Sequence, residues 1–126
     1  MIFGLGTDII EVDRVRKTLE GNAGLLYDLF SPAEIEYCEA KAQKYQHYAA
    51  RFCAKEAFLK ALGTGLSAGI KPNQIEVLNE PSGKPFIRLT GTAKSLTKKY
   101  GFSKILVSLS HIREISKAVV IIETDE

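Results

Sequence analysis

Hydrophobic positions along the chain fall into stretches with two different periods. Alternating or β-branched-rich stretches predict five strands, in MIFGLGTDIIEV, QIEVLNE, FIRLT, KILVSLSH and KAVVIIET. Apolar residues at helical spacing, bounded by caps and glycines, predict helices in DRVRKTLE, SPAEIEYCEAKA, residues 45–62 and GTAKSLTKKYG. Most strands follow one another as hairpins. The pattern therefore favours an α+β fold with a mainly antiparallel sheet.

Local signals set several of these boundaries. Asp13 is the predicted N-cap of the first helix. Ser31, followed by Pro32 and by Glu34 three residues on, is typical of a capping box. The helix over 45–62 has apolar residues on nearly every side, so we expect it to be packed all round, yet Glu56 lies in its middle.

Composition narrows the class of protein. The length of 126 residues predicts a single domain over residues 1–126, with 45% hydrophobic residues for one small core. A net charge of +2 gives no support to nucleic-acid binding. Two cysteines are too few for a disulfide framework. Without a leader-like segment or a membrane-spanning stretch, the sequence predicts a soluble cytoplasmic protein that does not bind membranes.

Two acids are the first candidates for chemistry. Glu56 and Lys60 share one helix face, which is compatible with an ordinary helix ion pair. Neighbouring apolar residues indicate a less solvated carboxylate that needs a lysine or a metal as counter-ion. Asp8 lies in a strand with Gly4 and Gly6 on its own face, and these glycines leave room near it; alternatively it ends the strand and caps the next turn. Two carboxylates on rigid elements suit Mg²⁺, with waters and a substrate phosphate completing its ligands.

Three further motifs give weaker evidence for a functional site. LGTG follows the Glu56 helix and either caps it or lets backbone amides approach an anion, with Lys60 and Lys55 supplying positive charge. SLSH ends a strand, with Ser110 and His111 on opposite faces, so the two are not a nucleophile and its base. SGKP is typical of a turn that precedes an edge strand.

The motifs GLGTDIIEVDRV, RFCAKEAFLKALGTG, GKPFI and VSLSH, in this order and spacing, resemble those of the holo-acyl-carrier-protein synthases, within the 4′-phosphopantetheinyl transferases. The resemblance spans the whole chain. It implies the 4′-phosphopantetheinyl transferase fold, with an antiparallel sheet wrapped by a long central helix. It also implies Mg²⁺-dependent transfer of 4′-phosphopantetheine from coenzyme A to a serine of apo acyl carrier protein, releasing adenosine 3′,5′-bisphosphate, in fatty acid biosynthesis.

Residue roles follow from the same resemblance. The metal ligands fall on Asp8 and Glu56, and Lys60 would neutralise phosphate oxygens. The general base is either Glu56, acting through a metal-bound water, or Asp8. Coenzyme A contacts fall on Arg51, Lys60, Gly63, Gly65 and His111, with Lys84 and Pro85 near the nucleotide. Cys53 stands where the family often has alanine. The family is a homotrimer with active sites between subunits, and the same assembly is expected here.

The carrier protein is acidic in this family, so a local basic patch should bind it. Arg14, Arg16 and Lys17 crowd the first turns of the first helix, where cations oppose the helix macrodipole. The family's carriers dock on this helix; otherwise these cations are a solvated face. Two alternatives to the transferase are another Mg²⁺-dependent phosphate-ester enzyme and a non-catalytic coenzyme-binding scaffold, in which Asp8, Glu56 and Lys60 form only an ion network.

Overall fold

The computed structural model describes residues 1–65 and 69–125. In these ranges the helices and strands follow the order β1 (Ile2–Glu11), α1 (Val12–Gly21), α2 (Leu25–Leu29), α3 (Pro32–Glu39), α4 (Lys44–Leu62), β2 (Ile75–Asn79), β3 (Pro85–Leu89), α5 (Gly91–Tyr100), β4 (Phe102–His111) and β5 (Ile115–Thr124). A short 3₁₀ turn, Pro72–Gln74, precedes β2.

The strands form two antiparallel sheets. One sheet has the order β1-β5-β4, and the other is the hairpin β2-β3. In the larger sheet Asp8 of β1 lies opposite Ala118 of β5. Helix α4 crosses this sheet against β1 and β5 and also contacts α1, α3 and β2. The predicted α+β class, the antiparallel pairing and the long central helix are thus confirmed.

The helix α4 is buried because small residues face its neighbours on several sides. Ala54 and Ala57 are fully buried, together with Phe58, in a cluster with residues of both sheets. A second cluster, around Phe30 and Tyr48, joins α4 to the helices α1–α3. Burial on both sides holds α4 firmly, so side chains along it have defined positions.

The structure confirms the predicted capping box at Ser31 but not the predicted cap at Asp13. Ser31 accepts a hydrogen bond from the Glu34 backbone N–H, and the Glu34 carboxylate accepts one from the Ser31 N–H, as the capping box predicts. The prediction that Asp13 caps α1 is wrong, because α1 begins earlier and Glu11 occupies the N-cap position. Asp13 lies in the first turn and pairs with Arg16 and Lys17 instead.

Glycines on β1 allow the sheet and α4 to touch. A Cβ at Gly4 would lie 1.8 Å from the carbonyl oxygen of Ala61, and one at Gly6 would lie 1.9 Å from that of Ala57. The space that these glycines leave is therefore filled by the backbone of α4, and not by a ligand. This close approach brings the middle of α4 beside Asp8.

No helix in the described part of the chain is long and apolar enough to cross a membrane.

Candidate active site

The Lys60 side chain extends from α4 to β1 and contacts Thr7 and Asp8 there. Its Nζ lies 3.0 Å from Asp8 Oδ1 and donates a second hydrogen bond to the Thr7 carbonyl oxygen, also at 3.0 Å. The Asp8 side chain is 17% exposed and the Lys60 side chain is 58% exposed. Among the described residues, the ion-pair partner of Lys60 is thus the acid of the neighbouring strand, and an ordinary Glu56–Lys60 pair is not what the structure has.

Glu56 lies half-buried beside this pair. Burial raises the pKa of its carboxyl above the ordinary value, the negative charge of Asp8 raises it further, and Lys60 lowers it. Asp8 and Glu56 line one cavity of about 340 Å³. Two carboxylates in one cavity repel each other, so the arrangement favours binding of a cation between them.

These two acids form a partial metal site. No group of three or more histidine, cysteine, aspartate or glutamate side chains lies close enough to hold a metal ion in residues 1–65 and 69–125. The donor set is two carboxylates, which is the number that Mg²⁺ commonly takes from protein when substrate phosphate and water supply the rest. The residues present therefore fit a Mg²⁺ ion that binds with a phosphate-bearing substrate.

Cys53 lies on the same side of α4 and adds no charge. Burial raises the pKa of its thiol to about 12, and the nearby Asp8 raises it too. Its Sγ donates to the carbonyl oxygen of Ser116 at 3.3 Å. The thiol is therefore neutral and structural at neutral pH.

The glycines after α4 border a second cavity that also includes Glu56. It measures about 360 Å³ and is lined by Glu56, Leu59, Lys60, Gly63 and Gly65. Gly63 is in the left-handed region with φ 88°, and its N–H donates to Leu59 O, so it caps the helix. Because that amide is used within the helix, Lys60 is the main group here that could bind an anion.

A third cavity brings together residues from four distant stretches of the sequence. This cavity, named here the Arg51 cavity, has a volume of about 440 Å³ and includes Arg51, Lys84, Pro85 and His111. The sequence analysis assigned all four to one ligand. The structure also adds Tyr37, His47 and Asn79, which no sequence motif indicated because α3, α4 and β2 meet only in the folded protein.

Arg51 is the buried cation of this cavity. The residue is only 2% exposed. One of its guanidinium nitrogens donates a hydrogen bond to Asn79 Oδ1 at 2.6 Å. The guanidinium carbon lies 4.2 Å from the centre of the Tyr37 ring. Its Nε has no hydrogen-bond partner among the described residues. A buried donor of this kind costs free energy unless an acceptor binds to it.

The Arg51 cavity and the carboxylate pair lie on different sides of α4. Arg51 and Glu56 are separated by about 140° around the helix axis. Arg51 faces α3 and β2, while Glu56 lies beside β1. The two groups of predicted residues therefore do not form one continuous cavity within the described residues of a single copy.

The basic residues of α1 differ in their ion pairs. Arg16 pairs with Asp13 and Glu20, and Lys17 pairs with Asp13. Arg14 is exposed, has no ion-pair partner among the described residues, and lines the cavity that holds Asp8 and Glu56. Arg14 is therefore the cation of α1 that is free to bind another molecule near the carboxylates.

Comparison with known proteins identifies the superfamily of this chain. Residues 4–119 match the family model described as the 4′-phosphopantetheinyl transferase superfamily. The chain belongs to this superfamily. One relative within it, a holo-[acyl-carrier-protein] synthase of Syntrophus aciditrophicus, is 48% identical over 124 residues, which are 98% of this chain and 97% of the relative.

Solved structures of the superfamily share the fold. The holo-[acyl-carrier-protein] synthase of Neisseria meningitidis superposes with a TM-score of 0.91 at 27% identity, over 98% of this chain and 100% of that chain. The holo-(acyl-carrier-protein) synthase of Bacillus anthracis, solved in complex with CoA (3′,5′-ADP), gives a TM-score of 0.82 at 30% identity over 99% of both chains. The predicted superfamily and fold are thus confirmed.

Proposed function

We propose that this chain is a holo-[acyl-carrier-protein] synthase, which transfers 4′-phosphopantetheine from coenzyme A to a serine of apo acyl carrier protein and releases adenosine 3′,5′-bisphosphate. The observation that carries the proposal is the pair of half-buried acids, Asp8 and Glu56, that share a cavity beside Lys60. Membership of the transferase superfamily along nearly the whole chain supports it, and the carrier is the substrate named for the relatives of similar length.

Asp8 and Glu56 are the proposed ligands of a Mg²⁺ ion. When bound, the ion would neutralise charge on the diphosphate of coenzyme A. Phosphoryl transfer depends mainly on positioning and on neutralising negative charge, so a site with two acids and one lysine suits it. Glu56 is also proposed to accept the proton of the serine hydroxyl through a bridging water, with Asp8 as the alternative base.

Coenzyme A is proposed to lie across two of the cavities, contributed by two neighbouring subunits, because in one subunit they lie on different sides of α4. Lys60, Gly63 and Gly65 border the space next to Glu56, where the diphosphate would bind. The nucleotide end would bind in the Arg51 cavity, where the unpartnered Nε of Arg51 is available to a phosphate oxygen. Lys84 and His111 add donors there.

Lys60 should matter more for the chemical step than for binding. Its side chain is mostly exposed, so it can leave Asp8 and donate to a phosphate oxygen as negative charge develops. Lys60→Ala should therefore lower kcat about a hundredfold and change the KM for coenzyme A much less. Steady-state kinetics of carrier loading measures both. The exposed Lys94→Ala serves as control, and an unchanged kcat in Lys60→Ala would refute the role.

A homotrimer with shared active sites is proposed because, within one subunit, the Arg51 cavity and the carboxylate pair lie on different sides of α4. Leu5 of β1, Ile121 of β5 and Leu106 of β4 form a row across the outer face of the larger sheet. Leu5 is 64% exposed and Leu106 is 44% exposed, so the row presents apolar surface that a neighbouring subunit would cover. A neighbour packed there could bring its own Arg51 cavity towards the carboxylate pair.

The oligomer should be visible in solution. Sedimentation at micromolar concentration should give a mass near three subunits. Leu5→Glu places a charge in the apolar row and should dissociate the assembly and reduce activity, whereas Tyr27→Glu, on exposed α2, should do neither. A wild-type monomer with full activity would contradict both the trimer and the shared site.

The carrier protein is proposed to dock on α1, where Arg14, Arg16 and Lys17 lie. Arg14 should contribute most, since the other two are paired within the helix. A carrier bound there would have its serine near Asp8 and Glu56, because Arg14 lines the same cavity.

Arg14→Glu should raise the KM for carrier protein about tenfold at low salt, leave the KM for coenzyme A nearly unchanged, and flatten the salt dependence of kcat/KM. The reason is that the substitution replaces attraction to an acidic partner by repulsion. Lys98→Glu on α5 is a matched charge reversal that should have no such effect. If Arg14→Glu kept the wild-type carrier KM at low salt, the docking surface would lie elsewhere.

The wider setting is also part of the proposal. Residues 1–126 act as one domain in the cytoplasm, in support of fatty acid biosynthesis. Cys38 and Cys53 are free and buried, which suits a reducing compartment. The reaction itself is tested by chromatography of the nucleotide products: adenosine 3′,5′-bisphosphate should appear only when coenzyme A, Mg²⁺ and apo carrier protein are all present. Release that does not need the carrier would favour another phosphate-ester enzyme.

A further inference from the structure

The Arg51 cavity contains a second imidazole that no sequence motif indicated. His47 lies one turn before Arg51 on α4 and lines the same cavity. Its ring stands edge-on to Tyr37, with the two ring centres 5.7 Å apart. Because packing against Tyr37 holds the half-buried imidazole, its position relative to the guanidinium of Arg51 is defined.

The charged groups around His47 are all cationic or potentially cationic. Helix α4 contributes Arg51, the end of α3 is followed by Lys41, and β4 contributes His111; these are the groups whose charge acts on His47. Lys84 of the β2–β3 turn lines the same cavity. None of the described residues that line the cavity is an aspartate or a glutamate. A group of cations without an acid creates a positive potential that favours the binding of an anion.

The protonation of His47 responds to these neighbours. Burial lowers the pKa of its imidazole, and the charges of Arg51, Lys41 and His111 lower it further. Both effects favour the neutral form of the imidazole in the free protein. A phosphate dianion in the cavity would act in the opposite direction, because it attracts the protonated form of the ring.

We propose that His47 is an anion-binding residue of the Arg51 cavity, and that it takes up a proton from solvent when a phosphate group binds. The proposal rests on the proposed function, in which that phosphate belongs to the nucleotide end of coenzyme A. The protonated ring donates a charge-assisted hydrogen bond, which is stronger than the bond from a neutral ring. His47 thereby makes nucleotide binding depend on pH.

The direction of this dependence follows from the proton balance. The complex binds one more proton at His47 than the free protein, so low pH favours the complex. The contribution of His47 to affinity is fully present below the pKa of the free protein. It is lost as the pH rises through the higher pKa of the complex.

Two substitutions separate charge from proton uptake. His47→Gln removes both the charge and the titration, whereas His47→Lys keeps a permanent charge without titrating near neutral pH. Isothermal titration calorimetry with adenosine 3′,5′-bisphosphate, in buffers of different ionisation enthalpy, gives both the affinity and the number of protons taken up. Ionisation of the free ligand is the same in all three titrations, so the difference between the three proteins reports the replacement of His47.

For His47→Gln we expect fewer protons taken up than by the wild type, and an affinity about fivefold weaker at pH 6 but nearly equal at pH 8. His47→Lys should also take up fewer protons, yet keep its affinity at both pH values. Melting curves show whether each variant is folded, and either variant alone suffices to compare proton uptake.

Equal proton uptake by the wild type and a folded variant would overturn the role of His47 and leave the proposed function intact. If the wild-type protein did not bind the nucleotide at all, and loaded no carrier, both the proposed function and this inference would fall.

Discussion

Glu56→Gln should leave the protein folded and lower carrier loading at least about a thousandfold, because it removes one of two charged ligands of the proposed Mg²⁺ ion. The amide keeps the shape of the carboxyl group but supplies no charge and cannot act as a base. Asp8→Asn should have a similar effect, because it removes the other charged ligand. Initial rates over a range of Mg²⁺ concentrations measure both variants.

Removal of the Glu56 charge should also relieve the repulsion with Asp8, which raises the pKa of the Glu56 carboxyl in the wild type. The melting temperature of Glu56→Gln should therefore be equal to or above that of the wild type. Glu36→Gln, an exposed acid on α3, is the control and should keep full activity. Wild-type rates for Glu56→Gln at limiting Mg²⁺ would remove Glu56 from the ligand set.

Lys55→Met, unlike Glu56→Gln, should cause a large loss of stability. Lys55, next to Glu56 in sequence, points to another side of α4 and pairs with Glu34 at 2.7 Å. The two residues are 1% and 0% exposed. The prediction that Lys55 supplies charge to an anion beside LGTG is therefore wrong. Lys55 Nζ also donates to the carbonyl oxygens of Pro72 and Ile75. The substitution would leave Glu34 charged in the core, where it still accepts bonds from backbone N–H groups.

The expected loss in the free energy of unfolding is about 3–5 kcal/mol, the usual cost of breaking a buried ion pair from one side. Urea denaturation followed by circular dichroism measures it. The exposed pair of Lys44 with Glu39, at 3.3 Å, provides the matched control, and Lys44→Met should cost less than about 1 kcal/mol. A similar small cost for Lys55→Met would show that the buried pair does not stabilise the core.

Much of the fold could be predicted because its signals are local. The capping box at Ser31, the period of α4 and the turn between β2 and β3 are set by neighbouring residues. Helix α2 was not predicted, since five residues after two glycines carry almost no periodic signal. The N-cap of α1 was misplaced because Asp13 suits both the cap and the first turn, where it can pair with Arg16 and Lys17.

The motifs indicated which residues would lie near one another, but not how they are arranged. Asp8, Glu56 and Lys60 were expected to lie together, and the structure places them beside one another, while their roles stay predictions. Two features could be seen only in the folded structure. The backbone of α4 packs directly against Gly4 and Gly6, and Lys60 forms its ion pair with Asp8. His47 was missed although its place one turn before Arg51 puts the two on one face of α4. Tyr37 could not be found, because its place in the Arg51 cavity depends on how α3 packs against α4.

The central claim is that this chain modifies a carrier protein, and the intact mass of the carrier tests it most directly. The wild-type protein, coenzyme A, Mg²⁺ and an apo acyl carrier protein are incubated together, with Glu56→Gln and a carrier lacking its acceptor serine as controls. The account predicts that one phosphopantetheine group is added per carrier with the wild-type protein, and none in either control. A folded wild-type protein that binds coenzyme A but leaves the carrier mass unchanged would contradict the account and indicate a coenzyme-binding scaffold.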